Sequence, residues 1–247
     1  MRASRSRWLA PVAAVLVTSF VWAGPAAGGS PPPQPNLVLN AARVASSVVF
    51  KTVNFTAKDC AYVEGSLTGT GKRTLMRFDV STANRGTAPL VLGNPVNNPL
   101  FQWSPCHRHY HFSGYALYEL FGSDPRTSTT APLVTGRKQA FCLEDFEPDP
   151  GSPTQGPAVY TCSNQGISVG WADTYGSYLD GQWLDITGIA PGPYWLRVTV
   201  NPYNVSTSPI YDPTSPAAVA LRESDYTDDV AVVPVTIPTK ISGGPTP

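Results

Sequence analysis

Residues 76–81, Met-Arg-Phe-Asp-Val-Ser, alternate apolar and polar side chains at every step. Successive side chains of a β-strand point to opposite faces, so this alternation is typical of a strand with one buried face. Residues 196–200 repeat the pattern, with leucine and valine separated by arginine and threonine. Residues 230–237 form a third apolar run, in which Pro234 predicts an edge strand or a bulge. The three segments together predict a β-rich fold.

The composition points to the same class of fold. The 247 residues include 26 prolines and 21 glycines, which favour short strands and ordered loops over helices. No segment longer than about ten residues has the 3.6-residue period of an amphipathic helix. We therefore expect an all-β protein, with a single antiparallel β-sandwich-like core, long ordered loops and little helix.

Charge and the N-terminal composition restrict the class of protein further. Lysine and arginine total 17, as do aspartate and glutamate, so the net charge is zero. Binding to nucleic acid or to an anionic membrane requires a basic face, which this balance does not favour. Arginines precede an apolar run and then small residues near the N-terminus, which is typical of a cleaved secretory signal. We expect a secreted protein with no membrane segment after cleavage, divided into a signal peptide 1–27, a Pro/Gly-rich linker 28–36, a folded domain 37–237 and a flexible C-terminal tail 238–247.

The cysteines suit an exported protein. Cys60, Cys106, Cys142 and Cys162 follow the expected signal peptide. An even number of cysteines in an exported chain favours two disulfides, but the spacing leaves three pairings open.

All three histidines of the chain, His107, His109 and His111, fall within five residues. Alternate residues of an extended segment point the same way, so the three imidazoles share one side. The first and last are about 13 Å apart in a straight strand, so the segment must bend to bind one ion. Pro105 just upstream suits such a bend. Three histidines leave coordination positions open, as in catalytic sites, and imidazole alone leaves the metal open between copper(II) and zinc.

These histidines also belong to a recognisable motif. Residues 103–111, WSPCHRHYH, resemble the copper-binding stretch of the lysyl oxidase family. Four further blocks resemble that family in the same order, over roughly residues 50–237: GRKQAFCLED at 136–145, DTYG at 173–176 with QWLDIT at 182–187, PGPY through VNP at 191–202, and ESDYT at 223–227. Five such blocks in the family's order are specific evidence for the resemblance, whereas any one of them alone is weak evidence.

The resemblance implies a metal, a second cofactor and a disulfide pattern. It implies copper(II) bound by His107, His109 and His111. It implies a lysine tyrosylquinone formed within the chain from Lys138 and Tyr175. It also implies the disulfides Cys60–Cys106 and Cys142–Cys162, and it makes 37–237 a lysyl oxidase-like catalytic domain.

The implied activity is that of a copper-dependent amine oxidase. Such an enzyme converts primary amines, either lysine side chains of extracellular proteins or small amines, to aldehydes with dioxygen, and releases hydrogen peroxide and ammonia. Asp173, Asp180 and Asp185 flank Tyr175 and are candidates for the base that accepts the substrate's proton. Two alternatives remain: a zinc-dependent hydrolase that uses the same histidines, and a non-catalytic secreted copper-binding module in which Lys138 and Tyr175 never join.

Overall fold

Antiparallel strands form most of the regular structure in this computed structural model, which describes residues 32–140, 142–202, 221–241 and 243. Two short helices are present in the described ranges, α1 (Ala41–Ser47) and α2 (Cys60–Val63). The strands are β1 (Leu37–Leu39), β2 (Val49–Phe55), β3 (Gly71–Arg77), β4 (Val80–Asn84), β5 (Leu90–Gly93), β6 (Phe101–Ser104), β7 (His109–Phe121), β8 (Val134–Ala140), β9 (Glu147–Pro148), β10 (Gln165–Ile167), β11 (Trp171–Tyr175), β12 (Trp183–Asp185), β13 (Gly192–Val200) and β14 (Val230–Ile237). The all-β prediction is confirmed.

The strands pair into four sheets, and every ladder between them is antiparallel. The largest sheet has the order β14-β13-β7-β6, with β8 also paired to β7. A second sheet has the order β1-β4-β11-β9, a third β12-β3-β2, and β10 pairs with β5 alone. His109, His111 and Lys138 lie on the first of these sheets and Tyr175 lies on the second, which makes β7, β8 and β11 the strands that matter most for function.

The stretch 76–81 is not the single strand that its alternation predicts. β3 ends at Arg77 and β4, which belongs to another sheet, begins at Val80. Both faces are buried here, because the polar side chains find partners inside the protein. The Arg77 guanidinium lies 4.7 Å from the ring centroid of Trp183, and Ser81 accepts a hydrogen bond from Thr174. The alternation of apolar and polar residues therefore predicted more solvent exposure for this segment than the structure has.

The other two predicted strands are confirmed as β13 and β14. Leu196, Val198 and Val200 are completely buried, as their alternation predicts. β14 is the edge strand of the largest sheet, and Pro234 in it pairs with Trp195. Proline lacks an N–H group, so an edge position loses the least hydrogen bonding.

Both disulfides have the pairing that the family resemblance implies. Cys60 is bonded to Cys106 and Cys142 to Cys162, and none of the described cysteines is free. The first disulfide connects α2 to the turn between β6 and β7. The second connects the segment after β8 to the segment before β10. Each disulfide therefore ties a loop that carries a sequence motif to a second part of the chain.

Segments at both ends of the folded domain contact it. The chain divides into two units after Pro32, and all the strands above belong to the unit that begins at Pro33. In the expected linker, Gln34 O accepts a hydrogen bond from Thr87 N at 2.8 Å. In the expected tail, Ile241 packs against the main core. The expected signal peptide lies outside the described residues. None of the helices in the described ranges is long and apolar enough to cross a bilayer.

The main core predicts a measurable difference between two leucines. Leu196→Ala should lower the free energy of unfolding by about 2–5 kcal/mol, because a fully buried leucine leaves a cavity when it is truncated. Leu133→Ala is the matched control: Leu133 is 54% exposed, so the same truncation should change stability by less than about 0.5 kcal/mol. Urea unfolding measures both. Equal losses in the two variants would contradict the packing described here.

Candidate active site

The histidine cluster lies on a tight β-hairpin. β6 ends at Ser104, which pairs directly with His109 at the start of β7. In the turn between them Arg108 has the left-handed φ of 61°, and its backbone N–H donates to Ser104 O at 2.8 Å. His107 therefore lies in the turn, whereas His109 and His111 lie on the strand. The expected extended segment is wrong at His107, and the expected bend is present.

The three imidazole rings converge in this hairpin. Their centroids are 5.8 Å apart for His107 and His109, 5.3 Å for His107 and His111, and 5.0 Å for His109 and His111. The Nε2 atom of each ring is buried. A metal ion about 2 Å from three imidazole nitrogens in tetrahedral geometry holds the ring centroids about 5 Å apart. The spacing of the rings therefore suits three imidazoles around one ion.

Glu64, which the sequence did not single out, belongs to this cluster. Its carboxylate lies 3.2 Å from His107 Nδ1, and it also accepts a hydrogen bond from Ser104 Oγ. Ligand atoms of Glu64, His107 and His111 all lie within 4.8 Å of one another. A carboxylate only accepts hydrogen bonds, so its place at Nδ1 puts the ring hydrogen there and leaves Nε2 for a metal. We therefore interpret Glu64 as the group that orients His107.

The Cys60–Cys106 disulfide explains how Glu64 reaches the histidines. Glu64 is the C-terminal cap of α2, which begins at Cys60. Cys106 is in the hairpin turn, next to His107. The disulfide therefore fixes the helix that carries the carboxylate against the turn that carries the imidazole.

Tyr175 is a buried residue at the end of β11. Its side chain is 3% exposed, and its hydroxyl donates to Cys142 O at 2.6 Å. Burial, followed by the nearby carboxylate of Asp173, raises the pKa of the Tyr175 phenol well above its ordinary value. The ring centroid of Tyr115, another fully buried tyrosine, lies 5.7 Å away. The phenol is therefore held neutral and in a fixed orientation.

Lys138 lies on β8, beside the strand that carries two of the histidines. Its backbone pairs with Ala116 of β7, and Ala140 pairs with Phe112, the residue after His111. The register shifts between Phe112 and Ala116, so that β7 has two more residues than β8 over this span. The side chain of Lys138 lies outside the described part of the chain. The sheet thus brings the Lys138 backbone close to the histidine strand.

A single cavity connects the tyrosine with the histidine cluster. Its volume is about 570 Å³, and its walls include Tyr175, His107 and His109. His111 instead lines a neighbouring cavity of about 270 Å³, together with Glu64. The histidine cluster therefore lies between two cavities, and only the larger one reaches Tyr175.

The three candidate bases differ in their surroundings. Asp173 and Asp180 line the larger cavity. Asp185 on β12 does not, and its carboxylate accepts hydrogen bonds from Arg73 and Thr187. Burial raises the pKa of the Asp185 carboxyl, but these hydrogen bonds lower it. The net effect is a pKa below the ordinary value. Asp185 is a structural ion-pair residue, and the candidates for a base are Asp173 and Asp180.

The adjacent acids Glu144 and Asp145 have separate roles. The Asp145 carboxylate accepts four hydrogen bonds, from the backbone N–H groups of Val159, Tyr160 and Ser168 and from the Ser168 hydroxyl, at 2.6–3.0 Å. Asp145 therefore holds two loop segments together. Glu144 lines the larger cavity instead, and burial raises the pKa of its carboxyl. The sequence presents the two acids as a pair, and only the hydrogen bonds distinguish them.

Comparison with known proteins agrees with the motifs. The lysyl oxidase family model matches residues 35–214. Lysyl oxidase homolog 2 of Xenopus tropicalis is 33% identical over 211 residues, which cover 79% of this chain and 24% of that protein. Human protein-lysine 6-oxidase is 31% identical over 206 residues, covering 79% of this chain and 44% of that protein. The protein-lysine 6-oxidase of Sus scrofa is also 31% identical, and the match covers 74% of it.

This chain spans less than half the length of the first two of these relatives. The similarity nevertheless extends over most of the folded domain described above, including the hairpin, the Lys138 strand and Tyr175. The family resemblance seen in the sequence motifs is confirmed, and the chain belongs to the lysyl oxidase family.

Proposed function

We propose that this protein is a copper-dependent amine oxidase that converts primary amines to aldehydes with dioxygen, releasing hydrogen peroxide and ammonia. The observation that carries the proposal is the cavity that joins Tyr175 to His107 and His109 in a member of the lysyl oxidase family. Relatives named protein-lysine 6-oxidase support the lysine side chain as the substrate class. Small amines are the alternative substrate class of the proposal.

The proposed copper(II) ligands are His107, His109 and His111. The ring spacing of 5.0–5.8 Å supports one shared ion. Among common divalent metals copper(II) binds nitrogen ligands most tightly, which favours it over zinc at an all-imidazole site. Glu64 supports the assignment as well, because a carboxylate on the second nitrogen fixes the ring orientation and increases the basicity of the first.

The proposed second cofactor is a lysine tyrosylquinone made from Lys138 and Tyr175. With copper bound and the quinone formed, the two cofactors would together supply the oxidation of the amine by dioxygen. The chain's own contribution is to position the precursor groups: Cys142 O holds the Tyr175 hydroxyl, and β8 holds the Lys138 backbone beside β7. Burial also leaves only 3% of the Tyr175 surface exposed to solvent.

Removal of a proton from the substrate carbon beside the amine requires a base within the cavity. The carboxylates that line the cavity include Asp173, Asp180 and Glu144. We assign the base to Asp173 or Asp180, which are the nearer of these to Tyr175 in the chain. Asp173 is two residues before Tyr175 on β11, so both side chains point to the same side of the strand.

We infer that the protein acts outside the cell. The basic and apolar composition of the N-terminal residues supports export. The two disulfides also support it, because disulfides persist in oxidising compartments. The substrate and dioxygen would then both be extracellular.

The metal site predicts two graded losses of affinity. His109→Ala should remove stoichiometric copper, because two imidazoles remain where three are needed. Glu64→Gln should weaken copper binding about 10- to 100-fold, because His107 loses the carboxylate that orients it. Competition titration with a chelator measures both. Glu147→Gln is the matched control, since that carboxylate bonds Arg43 and Thr174 and no histidine. Full copper occupancy in His109→Ala would place the metal elsewhere.

The quinone assignment predicts that Tyr175→Phe releases no peroxide from a primary amine. The substitution removes the oxygen at which oxidation of the ring must begin, so the quinone absorption should also be absent. Tyr194→Phe is the control, because it removes only the hydrogen bond from that hydroxyl to Ala190 O at 2.9 Å. Peroxide assays and visible spectra of the copper-loaded proteins test this. If Tyr175→Phe retains wild-type amine-dependent peroxide release, a quinone at Tyr175 is not the oxidising group and the quinone mechanism is wrong.

A further inference from the structure

The larger cavity is acidic, which bears on the kind of amine that it binds. Its walls include the carboxylates of Glu144, Asp173 and Asp180. Among the described residues that line it there is neither lysine nor arginine. Primary aliphatic amines carry a positive charge near neutral pH, as lysine does. An acidic cavity therefore attracts the substrate that the proposed function requires.

The three carboxylates differ in whether a cation or a reacting group already lies close to them. Asp180 lies close enough to Arg77 to affect its pKa. Burial lowers the pKa of the Arg77 guanidinium, and the negative charge of Asp180 raises it. Asp173 lies beside the Tyr175 phenol, where the oxidation is proposed to occur. Glu144 forms no ion pair with a described lysine or arginine. The charge that acts on Glu144 is that of Asp145, which has the same sign. Of the three, Glu144 therefore gains most from a cation brought by the ligand.

The rest of the cavity wall suits a hydrocarbon chain. Phe146, Tyr178 and Leu179 line it. Phe146 is 53% exposed and Tyr178 is 73% exposed, which is unusual for aromatic side chains that no other part of the described chain covers. Aromatic faces attract ammonium groups as well as methylene groups. The lining thus combines a charge for an ammonium with an apolar surface for the chain that carries it.

The connection through Cys142 limits how far apart Glu144 and Tyr175 lie, and so the length of a suitable ligand. The Tyr175 hydroxyl is bonded to Cys142 O, and Glu144 follows Cys142 by two residues, which is at most about 7 Å of backbone. A saturated chain of about four to six carbons spans such a distance. A ligand with an amine at each end can therefore place one at Tyr175 and the other at Glu144.

We propose that Glu144 is a specificity-determining residue that binds the second ammonium group of a short aliphatic diamine, while the first amine reacts beside Tyr175. This inference rests on the proposed function for the reacting amine, but recognition of the second amine depends on the shape and charge of the cavity alone. No bond forms at Glu144. The carboxylate selects between substrates by supplying a counter-charge to diamines that monoamines cannot use.

The test compares 1,5-diaminopentane with 1-aminopentane, which lacks the second charge. Isothermal titration of the full, copper-loaded Tyr175→Phe chain measures recognition without turnover. We expect the diamine to bind about tenfold more tightly than the monoamine, and this preference to vanish when Glu144→Gln is added. Asp124→Asn in the same background is the control, because it removes an equal charge from a surface turn where Asp124 pairs with Arg126. That control should keep the preference.

The outcome separates this inference from the proposed function. Equal affinity for the two amines, or a preference that survives Glu144→Gln, would overturn the role of Glu144 even if the wild-type enzyme oxidises both. A preference that depends on Glu144 would support it even if the wild type releases no peroxide. In an active wild type, Glu144→Gln should raise KM for the diamine about tenfold and KM for the monoamine much less, with the effect in KM rather than in kcat. A loss of kcat with both amines would instead indicate a structural effect and contradict the assignment.

Discussion

The turn at residues 105–108 is the constraint on which the histidine cluster depends. In a straight strand His107 and His111 would be about 13 Å apart at Cα, too far for short bonds to one ion. The turn instead brings their ring centroids to 5.3 Å. It requires Arg108 in the left-handed region, which costs a non-glycine residue about 1–2 kcal/mol. The hydrogen bond from Arg108 N to Ser104 O and the disulfide at Cys106 offset that cost.

β7 transmits this local geometry to the rest of the site. Its first residues carry His109 and His111, and its later residues pair with the strand of Lys138. Between these two regions the register shifts, and Gly114 adopts a positive φ of 73°. Such irregularities redirect side chains in a sheet. Tyr115 follows at once, and its ring reaches Tyr175 on β11. One strand therefore contacts the histidine cluster, the lysine strand and the tyrosine.

The sequence predicted the features of the site that are local. Three histidines within five residues are visible without a structure, and the alternation in β13 and the proline in β14 predicted their burial and edge position. The family motifs predicted the pairing of both disulfides, which spacing alone left open. These successes share a cause: each depends on residues near one another in the chain or on a motif that is read as a unit.

The features that the sequence did not predict depend on contacts between distant segments. Glu64 approaches His107 because a disulfide connects α2 to the hairpin, and no local pattern marks it. The stretch 76–81 is divided between β3 and β4, and its Arg77 is buried against Trp183, which comes from far along the chain. Glu144 and Asp145 are neighbours with different surroundings, and only the hydrogen bonds of Asp145 separate them. Burial of a polar side chain is decided by its partners, which composition and periodicity do not specify.

The central claim is that the chain makes its own quinone cofactor from two of its residues. Peptide mapping by mass spectrometry of the mature, copper-loaded protein tests it most directly, because a covalent link is either present or absent. The account predicts a cross-linked peptide pair that contains Lys138 and Tyr175, absent from protein prepared without copper. Recovery of both peptides in unmodified form from a preparation that releases peroxide from amines would contradict it.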